Sequence, residues 1–220
     1  MNRQFDSEQI ELQGKLLHMA GLAEEAIGNA VRALESRDSA LADAVIQNDE
    51  AINLSEIEIE NQCLRLLALR SPEATDLRFI TMIFKINNDL ERIGDLAVNI
   101  AERSLDLLRS PLLKPLIDIP RMADIAQGMV KDALDAFVRR DADLAVEVCR
   151  RDDQVDLIND QLFRELLTYM LQDPTSIERA VGLIFVGRHL ERIADHSTNI
   201  AEDVVYLVKG KTIKHHTGLG

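Results

Sequence analysis

The chain has 220 residues, 46% apolar and 29% charged, with ten glycines, five prolines, no tryptophan and a net charge of −13. That acidity argues against nucleic-acid backbones and anionic membranes as direct partners, because like charge repels them, and it suits cations or basic protein surfaces. Ala, Leu, Ile, Glu, Asp and Arg dominate while turn formers are scarce, a balance that reads as all-α.

No apolar run approaches the length that spans a bilayer, so no direct membrane insertion is expected. Residues 1–6 carry no basic start leading into a signal-peptide core, and the expected localisation is cytoplasmic. Cys63 and Cys149 are too few and too isolated for a disulfide framework or a zinc site. With the two halves of the chain aligned they fall opposite Leu166 and Ile46, which marks them as buried, reduced packing residues.

Over about residues 7–35 apolar side chains recur at helical spacing, from Ile10 through Leu16, Met19, Ala23 and Ile27 to Leu34. The cluster Ser36-Arg37-Asp38-Ser39 breaks that helix and offers short polar side chains to cap the next. A second helix runs to about Leu69, where Pro72 stops it. Thr75 or Asp76 is placed to cap a third, which continues to about Leu108. Helices of about 30 residues are each about 45 Å long. The stretch 111–120 contains Pro111, Pro115 and Pro120 without helical period and reads as a linker.

The second half replays the first. Met19, Ala20, Ile27, Arg37, Asp38 and Asp49 match Met122, Ala123, Val130, Arg140, Asp141 and Asp152 at a constant offset of 103, which falls to 100 in the third helix. The expected fold is therefore a tandem repeat of two antiparallel three-helix bundles, residues 1–110 and 121–209, joined by the linker and followed by a disordered tail, 210–220. In that tail His215 and His216 would chelate metal only adventitiously.

The third helix of each half carries the closest copy. LERIGDLAVNIAE at 90–102 returns as LERIADHSTNIAE at 190–202, identical at nine of thirteen positions. At 100° per residue Leu90, Ile93, Ala97 and Ile100 share one sector, fit to build a core, and Glu91, Asp95, Asn99 and Glu102 share a second beside it. Each second helix adds a companion pair next to an apolar seam: Asp49 with Asn53 beside Ile52 and Ile57, and Asp152 with Asp156 beside Val155 and Ile158. Antiparallel packing sets these pairs opposite the third-helix stripe. The expected metal ligands are therefore Asp49, Asn53, Glu91 and Asp95 in the first half and Asp152, Asp156, Glu191 and Asp195 in the second. Asn99, Asn199, Glu102, Glu202 and Glu50 or Asp153 stand at the margins. All-oxygen surroundings suit magnesium, manganese, calcium or iron better than structural zinc. The plainer alternative is a solvated face, since an i,i+4 acid pair repels by only about 0.2–0.5 kcal/mol and Arg92 or Arg192 stands ready to compensate.

His189 and His196 flank the second copy but are Asp89 and Leu96 in the first, so they lie outside the duplicated set; a packing role suits His196 better than a ligand role. The chain holds no Glu-x-x-His di-iron spacing, no Gly-rich phosphate loop, no nucleophile elbow and no zinc-protease motif, so a catalytic reading has little to stand on.

The two copies of L-E-R-I-[GA]-D, the DEAIN and DDQVD segments that precede them, the turn PEATDLR at 72–78 and the six-helix duplication together resemble the PhoU family of phosphate-uptake regulators over about residues 5–209. Departures are Asn53 where an acid is common, Ala194 for Gly, and His196 after Asp195. The resemblance implies two three-helix bundles with surface sites for one or several metal ions, drawn from iron, manganese, magnesium or zinc. It also implies a cytoplasmic, non-enzymatic negative regulator, expected as a homodimer, that links the ATPase subunit of a phosphate ABC transporter to a sensor histidine kinase. A metal-dependent phosphohydrolase or oxidase, or a metal-buffering bundle, would use the same carboxylates.

Overall fold

A computed structural model describes residues 3–70 and 74–210. Pro72 and the 211–220 part of the tail lie outside the described residues. Six helices follow in order: α1 Arg3–Ser36, α2 Ser39–Arg70, α3 Ala74–Leu108, α4 Asp118–Arg139, α5 Ala142–Gln172 and α6 Ile177–Lys209, with one 3-10 turn, Pro174–Ser176, leading into α6. No strand occurs among the described residues. The fold is the all-α tandem of two three-helix bundles: α1, α2 and α3 pack on one another, as do α4, α5 and α6. The halves join where α3 lies against α6 and, less extensively, α1 against α4, and a single apolar core runs through both.

The apolar stripes explain the packing. Leu90, Ile93, Ala97 and Ile100 are all fully buried, and so are Leu190, Ile193 and Ile200. Where α3 has Ala97, α6 has Ser197, equally buried; its hydroxyl donates to the Ile193 carbonyl at 2.9 Å, so the extra polar atom is satisfied within the helix. The seam of α2 runs through Ile52 and Ile59, not Ile52 and Ile57. Ile59 is fully buried whereas Ile57 is 51% exposed, because seven residues complete two helical turns and five do not. Both cysteines are buried, and burial pushes each thiol up to about 12.

Both first turns of the chain path are built alike. Arg37 and Arg140 take the left-handed conformation at φ +55° and +53°. The next residue then closes back on the preceding helix, Asp38 N–H onto Ala33 and Asp141 N–H onto Ala136, each at 2.9 Å. Asp38 caps α2 by accepting from the Leu41 amide at 3.1 Å, and Asp141 caps α5 by accepting from Asp143 and Leu144 at 3.0 Å each. Thr75 and Asp76 lie inside the first turn of α3 rather than at its cap, where an acidic side chain still meets the positive end of the helix.

The linker is shorter than the proline pattern implies. Helix α4 begins at Asp118, so Pro120 sits in its first turn, where amides have no intrahelical acceptor and a missing N–H costs nothing. Only Pro111 and Pro115 lie in the coil, and α4 has 22 residues against 34 in α1. Lys114 anchors this coil: its ammonium is almost fully buried and pairs with Asp118 at 3.3 Å and with Glu165 of α5.

The Arg140 side chain makes no hydrogen bond or ion pair among the described residues to offset its left-handed backbone, whereas Arg37 binds the Leu108 and Ser110 carbonyls at 2.7 and 2.9 Å. Glycine adopts that conformation without strain, so Arg140→Gly should raise stability by about 0.5–1 kcal/mol. Thermal unfolding followed by circular dichroism should show a melting point about 1–4 °C higher; an unchanged or lower one contradicts the strain.

Candidate metal centre

Each half brings its two oxygen rows together along the groove between its second and third helices. In the first half the close approach depends on Gly94: a Cβ there would meet Ile52 Cδ1 at 3.0 Å and Asp49 Oδ1 at 3.3 Å. The Asp49 carboxylate therefore lies against the backbone of α3, half-buried, with its Oδ1 buried and lacking any hydrogen-bond partner among the described residues. Its Oδ2 accepts from the Asn53 amide at 2.8 Å. Across the groove Glu91 and Asp95 are both held by Arg92, Nε to Glu91 at 3.3 Å and a terminal nitrogen to Asp95 at 3.1 Å. The compensation expected of Arg92 is thus present.

Charge reports the same convergence. Burial pushes the Asp49 carboxyl above its usual range, and the negative Asp95 across the groove pushes it further. Glu91 is raised by burial first, then by Asp95, and also by Glu56 and Asp49. In the second half Asp156 is raised by burial, then Asp195, Asp153 and Asp160. Glu191 is raised by burial, with Asp156, Asp195 and Asp160 adding to it against Arg188. Asp195 is raised by burial and eased by His196, Arg188 and Arg192. Asp152 is buried in α5, one turn beyond Cys149, whose thiol feels both Asp152 and Glu202.

Sequence reasoning missed three members of these rows. Glu56 continues the α2 row past Asp49 and Asn53 at i+7 and is itself raised by burial. Its repeat counterpart, Asn159, donates to Glu191 Oε2 at 3.0 Å, and Asp160 adds charge beside it. The i, i+4, i+7 spacing was the available signal. The halves solve the space around this position in opposite ways. On α3 the buried Asn87 donates to the Glu56 carbonyl at 3.0 Å; on α6 the counterpart is Gly187, where a Cβ would stand 2.7 Å from Asn159 Oδ1.

The marginal candidates divide. Asp153 adds its charge beside Asp156, whereas Glu102 is exposed, and Asn199 and Glu202 line a crevice toward α3 with Asp89, Lys85 and Asp203. His196 turns the same way: its Nδ1 meets Asp89 Oδ1 at 2.8 Å, a bond between the halves. His18 is exposed on α1. Burial pushes the His189 imidazole down, with Arg192 and Arg103 adding to the effect.

The donor chemistry fits a hard cation: every side chain in the rows offers oxygen, negative charge is concentrated where burial makes it costly, and Asp49 Oδ1 has no hydrogen-bond partner among the described residues. Among the described residues no three His, Cys, Asp or Glu side chains are already arranged to hold an ion. The carboxylates are turned instead toward Asn53, Arg92, Asn159 and Arg188, the last at 3.3 Å from Glu191.

A family model described as PhoU domain matches residues 16–104 and again 119–204. The chain is 48% identical over 205 residues to the phosphate-specific transport system accessory protein PhoU homolog of Aquifex aeolicus (strain VF5), covering 93% of each chain. It is 35% identical over 215 residues to the phosphate-specific transport system accessory protein PhoU of Escherichia coli (strain K12), covering 98% of this chain and 89% of that one. The crystal structure of PhoU from Pseudomonas aeruginosa superposes with a TM-score of 0.91 at 44% identity, over 94% of this chain and 100% of that chain. That of the phosphate transport system regulatory protein PhoU from Streptococcus pneumoniae does so at 0.88 and 35% identity, over 96% and 99%.

A raised carboxyl takes up its proton in the folded chain before it does in the unfolded one. Ionised Glu91 therefore costs stability at neutral pH, and that cost fades as pH falls through its folded-state value. In metal-free protein Glu91→Gln should melt about 1–3 °C above the parent at neutral pH, solvent screening keeping the gain below about 1 kcal/mol. The two melting curves should converge on acidification. A variant less stable at neutral pH contradicts the repulsion.

Proposed function

Because the chain belongs to the PhoU family, we propose that it acts as a cytoplasmic, non-enzymatic negative regulator of phosphate uptake, and that metal ions bound at its two carboxylate rows govern that role. Its relatives are named accessory proteins of phosphate-specific transport systems. The partners we propose are the ATPase subunit of a phosphate ABC transporter and a sensor histidine kinase, with the regulator working as a homodimer. No described helix is long and apolar enough to cross a membrane, which accords with a protein that docks on membrane proteins.

The observation that carries the reading is the doubling of the rows. Asp49, Asn53, Glu91 and Asp95, and Asp152, Asp156, Glu191 and Asp195, occupy equivalent positions on two helix pairs, and in both copies burial and mutual repulsion raise carboxyl groups. Repulsion that serves only a solvated face would be relieved by substitution at small cost. Iron, manganese, magnesium or zinc would be held there by carboxylate oxygens, singly or as several ions, and would supply positive charge able to offset the rows and to bridge to acidic groups on a partner. The chain's own groups then divide the work: the carboxylates ligate, Arg92 and Arg188 steady them, and Asn53 and Asn159 orient Asp49 and Glu191. An adaptor needs surfaces with two charge states rather than a nucleophile or a general base, and the rows offer that.

The test joins a metal assay to a reporter. Glu91→Gln with Asp95→Asn, and Glu191→Gln with Asp195→Asn, should lower metal content by elemental analysis of untagged protein while circular dichroism stays helical. In the host, deleting the gene should raise alkaline phosphatase expression in phosphate-rich medium, and the four-site variant should fail to restore repression. Equal metal in parent and variants removes the ligand assignment; unchanged expression on deletion removes the regulatory role.

A further inference from the structure

Away from the carboxylate rows, the end of α3 and the start of α6 enclose a crevice of about 190 Å³ whose lining reverses the character of the chain. Three arginines, Arg103, Arg109 and Arg179, line it against two acids, Asp106 and Glu178, in a protein of net charge −13. The arginines are only partly engaged. Arg103 and Arg109 share one acid, Asp106, at 3.3 and 3.7 Å. Arg179 gives a single 3.3 Å hydrogen bond to the Pro111 carbonyl. Arg103 lies over the Phe185 ring, 5.3 Å from its centroid, and its Nε is buried without a partner. Ser110 lines the same wall.

The duplication shows that the fold does not require this set. At the repeat-equivalent crevice, about 250 Å³ and lined by Leu77, Arg78, Met82, Lys85, Tyr206 and Leu207 among others, Arg103 is replaced by Asp203, Asp106 by Tyr206 and Arg179 by Phe79, while Arg109 becomes Lys209 and Glu178 becomes Arg78. There α3 and α6 are tied by the Lys85 to Asp203 ion pair at 2.9 Å, while Phe79 stacks on Phe137 of α4 at 5.8 Å. The same two helix ends thus pack with one guanidinium or with three. The close packing of the arginine crevice also depends on a missing side chain: a Cβ at Gly182 would stand 2.8 Å from Leu107 Cδ2, and the counterpart in the other crevice is Met82.

We propose that this crevice is a binding site for a tetrahedral oxyanion, with free inorganic phosphate as its ligand. Guanidinium forks match the paired oxygens of a phosphate, and converging forks from two helices hold it better than lysines on flexible stems. The anion site stands on the arginines; the choice of phosphate among oxyanions rests on the regulatory reading above. Bound there, phosphate would join the end of α3 to the start of α6 and to the linker that Arg179 holds, so the contact between the two halves would report phosphate supply.

The test is isothermal titration of sodium phosphate into chelator-treated, full-length protein, which removes any phosphate carried by metal. Saturable binding at one site per chain is expected in the millimolar range or tighter. Arg109→Gln with Arg179→Gln should weaken it at least about tenfold, the loss expected from charge-assisted hydrogen bonds. Arg109 is 79% exposed at its side chain, so the single Arg109→Gln variant keeps the fold and should also weaken binding. The Glu91→Gln, Asp95→Asn protein should bind phosphate as the parent does. Absence of saturable binding, equal affinity in the arginine variants, or binding lost with the carboxylates would each overturn the site. Phosphate binding without a reporter response would leave the site standing and remove the regulatory reading; a reporter response without binding would do the reverse.

Discussion

Like charges held close by apolar packing are the constraint on which the rest of this structure turns. Ile52 and Ile59 on α2 and Leu90, Ile93 and Ile100 on α3 bury one continuous seam, and burial of that kind stabilises by about 1.5–3 kcal/mol per large side chain. The repulsion between Asp49, Glu91 and Asp95 is smaller than that and falls on the flank of the same helices. Packing therefore wins, and the carboxylates stay together whether or not anything neutralises them. Arg92 and Asn53 soften the arrangement without removing it, since burial and neighbouring acids still raise Asp49 and Glu91. The second half repeats the balance with different means, using Asn159 and Arg188 where the first uses Asn53 and Arg92.

The contact between the halves shows how a duplicated fold diverges once its packing is secure. Lys85 pairs with Asp203, while the reciprocal positions hold Phe185 under Arg103: one tie is ionic, the other a cation over a ring. Asp89 meets His196, while the reciprocal positions, His189 and Leu96, make no such bond, and His189 Nδ1 is buried without a partner. Such freedom is available because α3 and α6 are anchored by fully buried leucine and isoleucine. The polar rim was free to specialise, and the arginines beside the linker are one outcome.

Much of this was legible in the chain because its signals are periodic. Six helices, the paired cap at Asp38 and Asp141, and the facing rows all follow from spacing, and spacing survives in a single sequence. What escaped depended on three-dimensional neighbours or on local tolerance. Pro120 reads as a helix breaker but lies in the first turn of α4, where proline is harmless. Ile57 reads as seam by composition yet points outward, because its phase differs from that of Ile52. Glu56 and Asn159 belonged to the rows by the i+7 rule and needed only a longer window. Arg103, Arg109 and Arg179 are 76 positions apart at their extremes, and nothing in either local stretch says that they meet.

If the two rows of oxygen atoms are kept for cations, anomalous diffraction from crystals grown with manganese will reveal the ions. Density peaks are expected in both grooves, each touched by carboxylates of the second and third helix of its half. Well-ordered grooves with no anomalous peak in either copy, and with Asp49, Glu91, Asp95 and Glu191 still turned to their protein neighbours, would contradict that role.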